Sequence, residues 1–293
     1  MARLPTWLIV AAVGAVVALA AADAIRPTGE PRTRAPAATG PPGLNGVLLV
    51  GRPDCSTTAI RLPSLDEERA LRRLDCGGLV WSRDGTLAAR CTPTNGTEIL
   101  TERLEFTARV AGCSPAWRED GALSVIRNGD LLIFRRRGPV RLFVSRTTLA
   151  EALAGEVPRA YELSELVWID ASRFAAILHG RQPWQQAIVV YSRDGVERFV
   201  PEAGQRISGL RVSPLGNYIA FARNALGREY AMLLRGGPET RLPRIANART
   251  IAWSPDEEWV ALATRTATFI ARTGSRRVVF RVPAGGDTLA WLP

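Results

Sequence analysis

Four cysteines, at 55, 76, 91 and 113, and a single histidine, His179, are the residues of this chain best suited to covalent or metal chemistry. No two cysteines form a C-x-x-C pair, and one His cannot complete a Cys/His set, so a structural zinc site lacks its usual spacing. An even number of well-separated cysteines suits disulfides formed in an oxidising compartment. His179 stands in an expected loop, where a hydrogen-bonded structural role is the simpler reading; with no second His, a Ser-His-Asp array has one candidate at most. No G-x-S-x-G elbow, P-loop, H-E-x-x-H or EF-hand loop occurs. No catalytic, cofactor-binding or metal-binding residue is therefore assigned.

All 38 basic residues are Arg, a bias that fits the codon usage of a GC-rich genome, and the net charge is +10. Such a charge suits an anionic partner: nucleic acid, an anionic membrane face or an acidic envelope polymer. The oxidising compartment sets nucleic acid aside. The densest basic run is Arg135, Arg136 and Arg137 with Arg141 and Arg146; Arg69, Arg72 and Arg73 form another. The plain reading of each run is a solvated outer strand, and the sharper one is contact with anionic lipid or polymer.

The elements that would position these residues repeat along the chain. Residues 250–264, TIAWSPDEEWVALAT, read as strand, tight turn, strand, with Pro255 fixing φ and Asp256 bonding its own backbone. Variants recur around Trp81, Trp117, Trp168, Val212 and Trp291, so five of the eight Trp occupy one position. The intervals are 36, 51, 44, 41 and 38 residues, around the about 40–45 of a four-stranded propeller blade. The Trp side chains are expected as wedges between neighbouring sheets, and the recurring Asp84, Asp120 and Asp256 as turn residues. With 46% hydrophobic residues the chain can fill such a core.

The two ends of the repeat region complement each other. The last motif is a first strand with nothing after it, whereas residues 46–51, 57–62 and 69–74 read as later strands. Joining them makes a sixth blade and removes exposed edges. Residues 148–154 read as a short helical insert. In an up-and-down blade, the second strand ends on the face where the next blade begins. Cys55 and Cys76 stand in that relation, and Cys91 and Cys113 repeat it one blade later, so Cys55–Cys76 and Cys91–Cys113 are the expected bridges. Pairing Cys76 with Cys91 would leave Cys55 and Cys113 two blades apart. The six expected inner strands carry only Glu165 and, nearby, Asp287 as acids, too few oxygens for a hard cation. No cofactor is expected.

Residues 7–25 hold one charge, Asp23, and match a membrane span of about 20 residues. Small residues at 18–22 also fit a signal-peptidase site. The expectation for residues 1–25 is a signal-anchor helix, transmembrane or alternatively cleaved. Residues 26–43, rich in Pro, Gly, Thr and Ala, are expected to be a tether, and residues 44–293 the propeller.

Trp81-Ser82-Arg83-Asp84-Gly85-Thr86-Leu87-Ala88, and Trp253-Ser254-Pro255-Asp256 with Val260-Ala261, resemble TolB-type propeller repeats, a bacterial periplasmic relative of WD repeats. Val212-Ser213-Pro214 with Ile219-Ala220 is a weaker copy. The resemblance covers roughly residues 44–293 and implies an all-β, six-bladed propeller. It also implies an envelope scaffold that binds other proteins, although TolB-type proteins carry a further N-terminal α/β domain without a counterpart in this reading. The expected function is a membrane-tethered, monomeric, extracytoplasmic scaffold for another envelope protein or an anionic polymer. The alternative is an envelope hydrolase or lyase acting at the channel mouth.

Overall fold

A computed structural model of the protein describes residues 40–70, 73–82, 84–135, 138–152, 162–180, 186–199, 206–224, 228–234 and 237–293. The apolar segment, nearly all of the tether, Arg72, Arg136 and Arg137 lie outside these residues. Among the described residues, no helix is long and apolar enough to cross a membrane.

The chain enters through β1 (Gly46–Gly51), β2 (Thr57–Leu62) and β3 (Asp66–Arg69). Blade 1 is β4 (Val80–Trp81), β5 (Leu87–Cys91), β6 (Gly96–Thr101) and β7 (Phe106–Ala111). Blade 2 is β8 (Cys113–Trp117), β9 (Leu123–Arg127), β10 (Asp130–Phe134) and β11 (Arg141–Val144), followed by α1 (Arg146–Ala152), the expected helical insert. Blade 3 is β12 (Glu162–Trp168), β13 (Phe174–His179), β14 (Gln186–Ser192) and β15 (Gly195–Phe199). Blade 4 is β16 (Ile207–Val212), β17 (Tyr218–Asn224), β18 (Arg228–Leu234) and β19 (Glu239–Thr240). Blade 5 is β20 (Thr250–Trp253), β21 (Trp259–Ala263), β22 (Thr268–Arg272) and β23 (Val278–Val282), and β24 (Thr288–Leu292) ends the chain. Six four-stranded antiparallel sheets result, one of them ordered β24-β1-β2-β3. This is a six-bladed β-propeller whose sixth blade is shared by both ends of the wheel.

Closure is a complete antiparallel ladder from Val47↔Leu292 to Gly51↔Thr288. Gly51 is required there, because a Cβ on it would collide with Thr288 Oγ1. The fourth strand of this blade differs from expectation. It is Asp66–Arg69, not residues 69–74. DEER has no apolar member, and an outer strand with one solvated edge needs none; the apolar leucines after it drew the reading too far along.

Buried residues gather between sheets. Phe174, Ala176 and Val189 of blade 3 pack on Leu131 and Val144 of blade 2, and Trp259 and Ile270 of blade 5 pack on Leu48 and Ile60 of blade 6. Ala89, Ile99 and Val110 of blade 1 meet Leu123, Val125 and Leu132 of blade 2. The other face of blade 1, toward blade 6, is thin: among the described residues its buried members are Trp81, Ala88 and Leu100. Alternation explains the split, since Ala88 and Ala89 point to opposite faces of one strand.

Both disulfides fasten blade 1. Cys55–Cys76 joins it to blade 6 with a Cα–Cα separation of 5.5 Å, and Cys91–Cys113 joins it to blade 2 at 5.1 Å. The pairing is the one topology implies, and it fits an oxidising environment outside the cytoplasm.

The repeated turn has a mechanism. Ser82 Oγ accepts the Leu87 N–H at 3.0 Å and donates to Asp84 Oδ1 at 2.7 Å. Ser254 does the same for Trp259 N–H and Asp256. The serine hydroxyls, with the N–H groups of Thr86 and Glu258, hold both Asp carboxyls below their usual range. Blade 4 has Leu215 where this Asp stands. Its carboxylate comes from the next blade: buried Glu257 accepts the Leu215 N–H at 2.7 Å and the Asn217 amide at 2.9 Å.

Candidate functional site

The inner strands do not form a regular hub. Gly78, Ser114, Glu165 and Gly209 each stand three residues before the recurring Trp or Val of blades 1 to 4, and all four have positive φ, at 81°, 55°, 46° and 65°. In β8, β12 and β16 the ladder slips at this point, between Cys113 and Ala116, Ser164 and Val167, and Ser208 and Arg211. In blade 1 the inner strand shrinks to two residues, preceded by a Cys76↔Leu79 bridge. Blades 5 and 6 have unbroken inner ladders. Bulges re-aim side chains and bend the strand that carries them. Here they coincide with one side of the hub.

A cavity of about 550 Å³ lies along that side, lined by Asp75, Ser114, Pro115, Glu165, Leu166 and Arg211 among others from blades 1 to 4. Its size falls in the range of small-ligand clefts, about 300–1,000 Å³. Its polar groups are engaged with backbone. Asp75 Oδ1 accepts the Trp81 N–H at 2.9 Å. Glu165 Oε2 accepts the Leu210 N–H of the neighbouring blade at 3.0 Å. Arg211 donates to the Leu210 carbonyl at 2.9 Å. Both acids therefore serve to hold backbone, and the cavity lining offers hydrogen bonds and charge. Asp287, the second acid expected near the hub, pairs with Arg249 at 3.1 Å. Among the described residues, no three His, Cys, Asp or Glu side chains gather as metal ligands.

The wedges are in place. Trp117 Nε1–H donates to the Val80 carbonyl of blade 1 at 2.9 Å, and Trp168 Nε1–H to Ser124 Oγ of blade 2 at 2.8 Å. Arg118 fills the position of the turn serine in blade 2. Its buried guanidinium lies 4.9 Å from the Trp168 ring centre, a cation–π contact across the seam.

His179 is not in a loop; it ends β13 and pairs with Glu162 and Gln186. Strand register was the missed signal, since apolar residues run unbroken from Phe174 up to it. Ile207 N–H of blade 4 donates to Gln186 Oε1 at 2.7 Å, so the Gln186 amide nitrogen faces His179 Nδ1, at 2.8 Å. That fixes the proton on Nε2, which is donated to Ser164 Oγ at 2.5 Å. In this tautomer His179 cannot take a proton from Ser164, so the pair is structural.

Burial pushes the His179 imidazole below its ordinary pKa; Glu165 and Glu162 oppose the shift and Arg206 adds to it. The unfolded chain therefore binds a proton, below about pH 6.5, that the folded chain resists. Stability is expected to fall as pH drops through that value. Chemical denaturation at about pH 7.5 and about pH 5.5 should show this loss, and His179→Gln should reduce it.

Of the basic run expected to meet an anionic partner, the structure describes Arg135 and Arg141. Arg135 pairs with Asp120 at 3.0 Å, and Arg141 opens the outer strand β11, exposed; Arg136 and Arg137 lie outside the described residues. In the second basic run, the Arg73 guanidinium lies 5.1 Å from the Trp81 ring centre.

No protein-family model matches the sequence, and no curated protein is detectably similar to it. Solved structures are similar in fold. One is TolB from Acinetobacter baumannii, with TM-score 0.50 and 16% identity over 85% of this chain and 67% of that one. Others are a Dos1 propeller, at TM-score 0.47 and 11% identity over 84% of this chain and 72% of that one, and the dihydro-heme d1 dehydrogenase NirN in complex with DHE, at TM-score 0.47 and 14% identity over 96% of this chain and 65% of that one. Resemblance at this identity speaks for fold, and with the six four-stranded sheets it makes this chain a six-bladed β-propeller with a TolB-like fold.

Proposed function

We propose that this propeller is a non-catalytic binding scaffold outside the cytoplasm, tethered to the membrane through its N-terminal apolar segment and taking another envelope component at the hub. The observation that supports it most is the one-sided hub cavity. Four consecutive inner strands depart from regular geometry to make room there, while the two beyond them do not. At two of the four positions the residue is not glycine, and holding Ser114 and Glu165 at positive φ costs about 1–3 kcal/mol each, a cost that persists where the surroundings enforce it. The lining combines apolar surface with two acids and one arginine, a composition suited to holding a partner's chain. Asp75 and Glu165 each accept a backbone N–H, a positioning role that supports the binding reading.

The test is site-specific photo-crosslinking in cells that make the full chain. A probe replacing Ser114, in the cavity lining, should give a discrete adduct in the membrane fraction. A probe replacing Thr107 on the outer strand β7 should not. Adducts at Thr107 alone, or at neither site, would count against the hub.

A further inference from the structure

A second cavity, of about 170 Å³, lies at the outer edge of blade 4 beside blade 5, and it shares no lining residue with the hub. Its charged lining is Arg223, Glu229, Glu239, Arg241, Arg244 and Arg276. Blade 4 and the segment after β19 bring five of these; Arg276 comes from the β22–β23 turn of blade 5. Thr240 of β19 approaches Gly274 of that same turn, which sets the two edges together.

Arg223 is held in place. It donates to the Glu239 carboxylate, and its guanidinium lies 5.4 Å from the Phe221 ring centre. Its Nε–H is buried without an acceptor among the described residues. Arg241, Arg244 and Arg276 are exposed at the rim. Four arginines against two glutamates leave a charge of +2 around the cavity. A phosphomonoester carries about −1.5 to −2 at neutral pH and presents three acceptor oxygens. Guanidinium forks suit those oxygens better than ammonium groups would. The volume lies below the about 300–1,000 Å³ of clefts that enclose whole ligands. It fits one anionic group, with the remainder of the ligand outside.

We propose that this cavity binds a phosphoryl group, carried by a soluble phosphomonoester or by a lipid headgroup. Occupancy of the outer cavity is independent of the hub, so either can fail alone.

The experiment titrates the detergent-solubilised full chain with inorganic phosphate and follows phosphorus NMR line broadening. It compares the wild type with Arg241→Gln, Arg276→Gln and, as a control distant in sequence, Arg141→Gln. Each substitution in the cavity lining should weaken binding about tenfold, the size of one charge-assisted hydrogen bond. Arg141→Gln should leave binding unchanged, and all variants should keep the wild-type melting temperature. A parallel arm floats the same proteins with phosphatidylcholine vesicles, with and without phosphatidate. Extra flotation with phosphatidate that both cavity variants lose assigns the site to a lipid headgroup; phosphate binding without that extra flotation assigns it to a soluble phosphomonoester. Absence of phosphate binding, or equal binding by wild type and the cavity variants, overturns the proposal.

Discussion

Removing residues 287–293 is expected to leave a chain that does not fold cooperatively. The deleted segment is the inner strand of blade 6 and its five-pair ladder with β1. It also carries Trp291, which is 6% exposed and whose Nε1–H donates to the Asn45 carbonyl at 3.0 Å. Truncating a buried Trp to Ala alone costs about 3–5 kcal/mol. A domain of this kind has about 5–15 kcal/mol in total. Losing the ladder as well exposes the apolar edge of β1, Val47 to Val50, and unpaired edges of this type associate with other chains. Thermal denaturation followed by circular dichroism should show no sharp transition for the truncated protein, and gel filtration should show aggregates. Trp291→Ala in the full chain should retain a transition, lowered by the cost of the side chain. A truncated protein that melts like the wild type would mean that the ring does not depend on its C-terminal strand.

Breaking the two disulfides separately is expected to have unequal effects. Their loops are nearly equal, with sequence separations of 21 and 22. Loop-closure entropy therefore assigns each about 3 kcal/mol. Their surroundings differ. Cys91–Cys113 crosses a seam that also has Ile99, Val110, Leu123 and Val125 packed across it. Cys55–Cys76 crosses the seam where blade 1 contributes only Trp81, Ala88 and Leu100 among the described residues, and where the inner strand is two residues long. Cys55→Ser with Cys76→Ser should therefore cost at least the full loop term and open the ring locally. Cys91→Ser with Cys113→Ser should cost no more than that term. Urea denaturation gives the two free energies, and hydrogen exchange at β4 and β5 reports the opening. Equal costs with equal exchange would show that the thin seam is not the weak one.

Much of this fold was legible because the repeat states its own register. The Trp position, the serine hairpin closure and the Asp turn recur at blade length, and each has a local physical cause visible in the hydrogen bonds of Ser82 and Ser254. The bridges followed from topology once the blades were placed. What escaped reading is set by neighbours. β3 is an all-charged outer strand, and nothing in DEER announces pairing with Thr58 to Arg61. Glu257 looks like one more surface acid beside Asp256, yet it completes the hairpin of the preceding blade. The hub bulges leave no common residue type, since Gly, Ser, Glu and Gly occupy the equivalent positions. Gln186 and the arginine cavity of blade 4 each depend on segments well separated in the chain.

Cysteine cross-linking across the closing ladder tests the central claim most directly. Leu49 and Ala290 are opposed partners in the β1–β24 ladder, whereas Leu289 pairs with Val50 and so points to the other face. Leu49→Cys with Ala290→Cys should form a bridge found by peptide mapping without reductant, alongside the two native ones. Leu49→Cys with Leu289→Cys should not. A bridge in the second protein and none in the first would contradict the shared sixth blade.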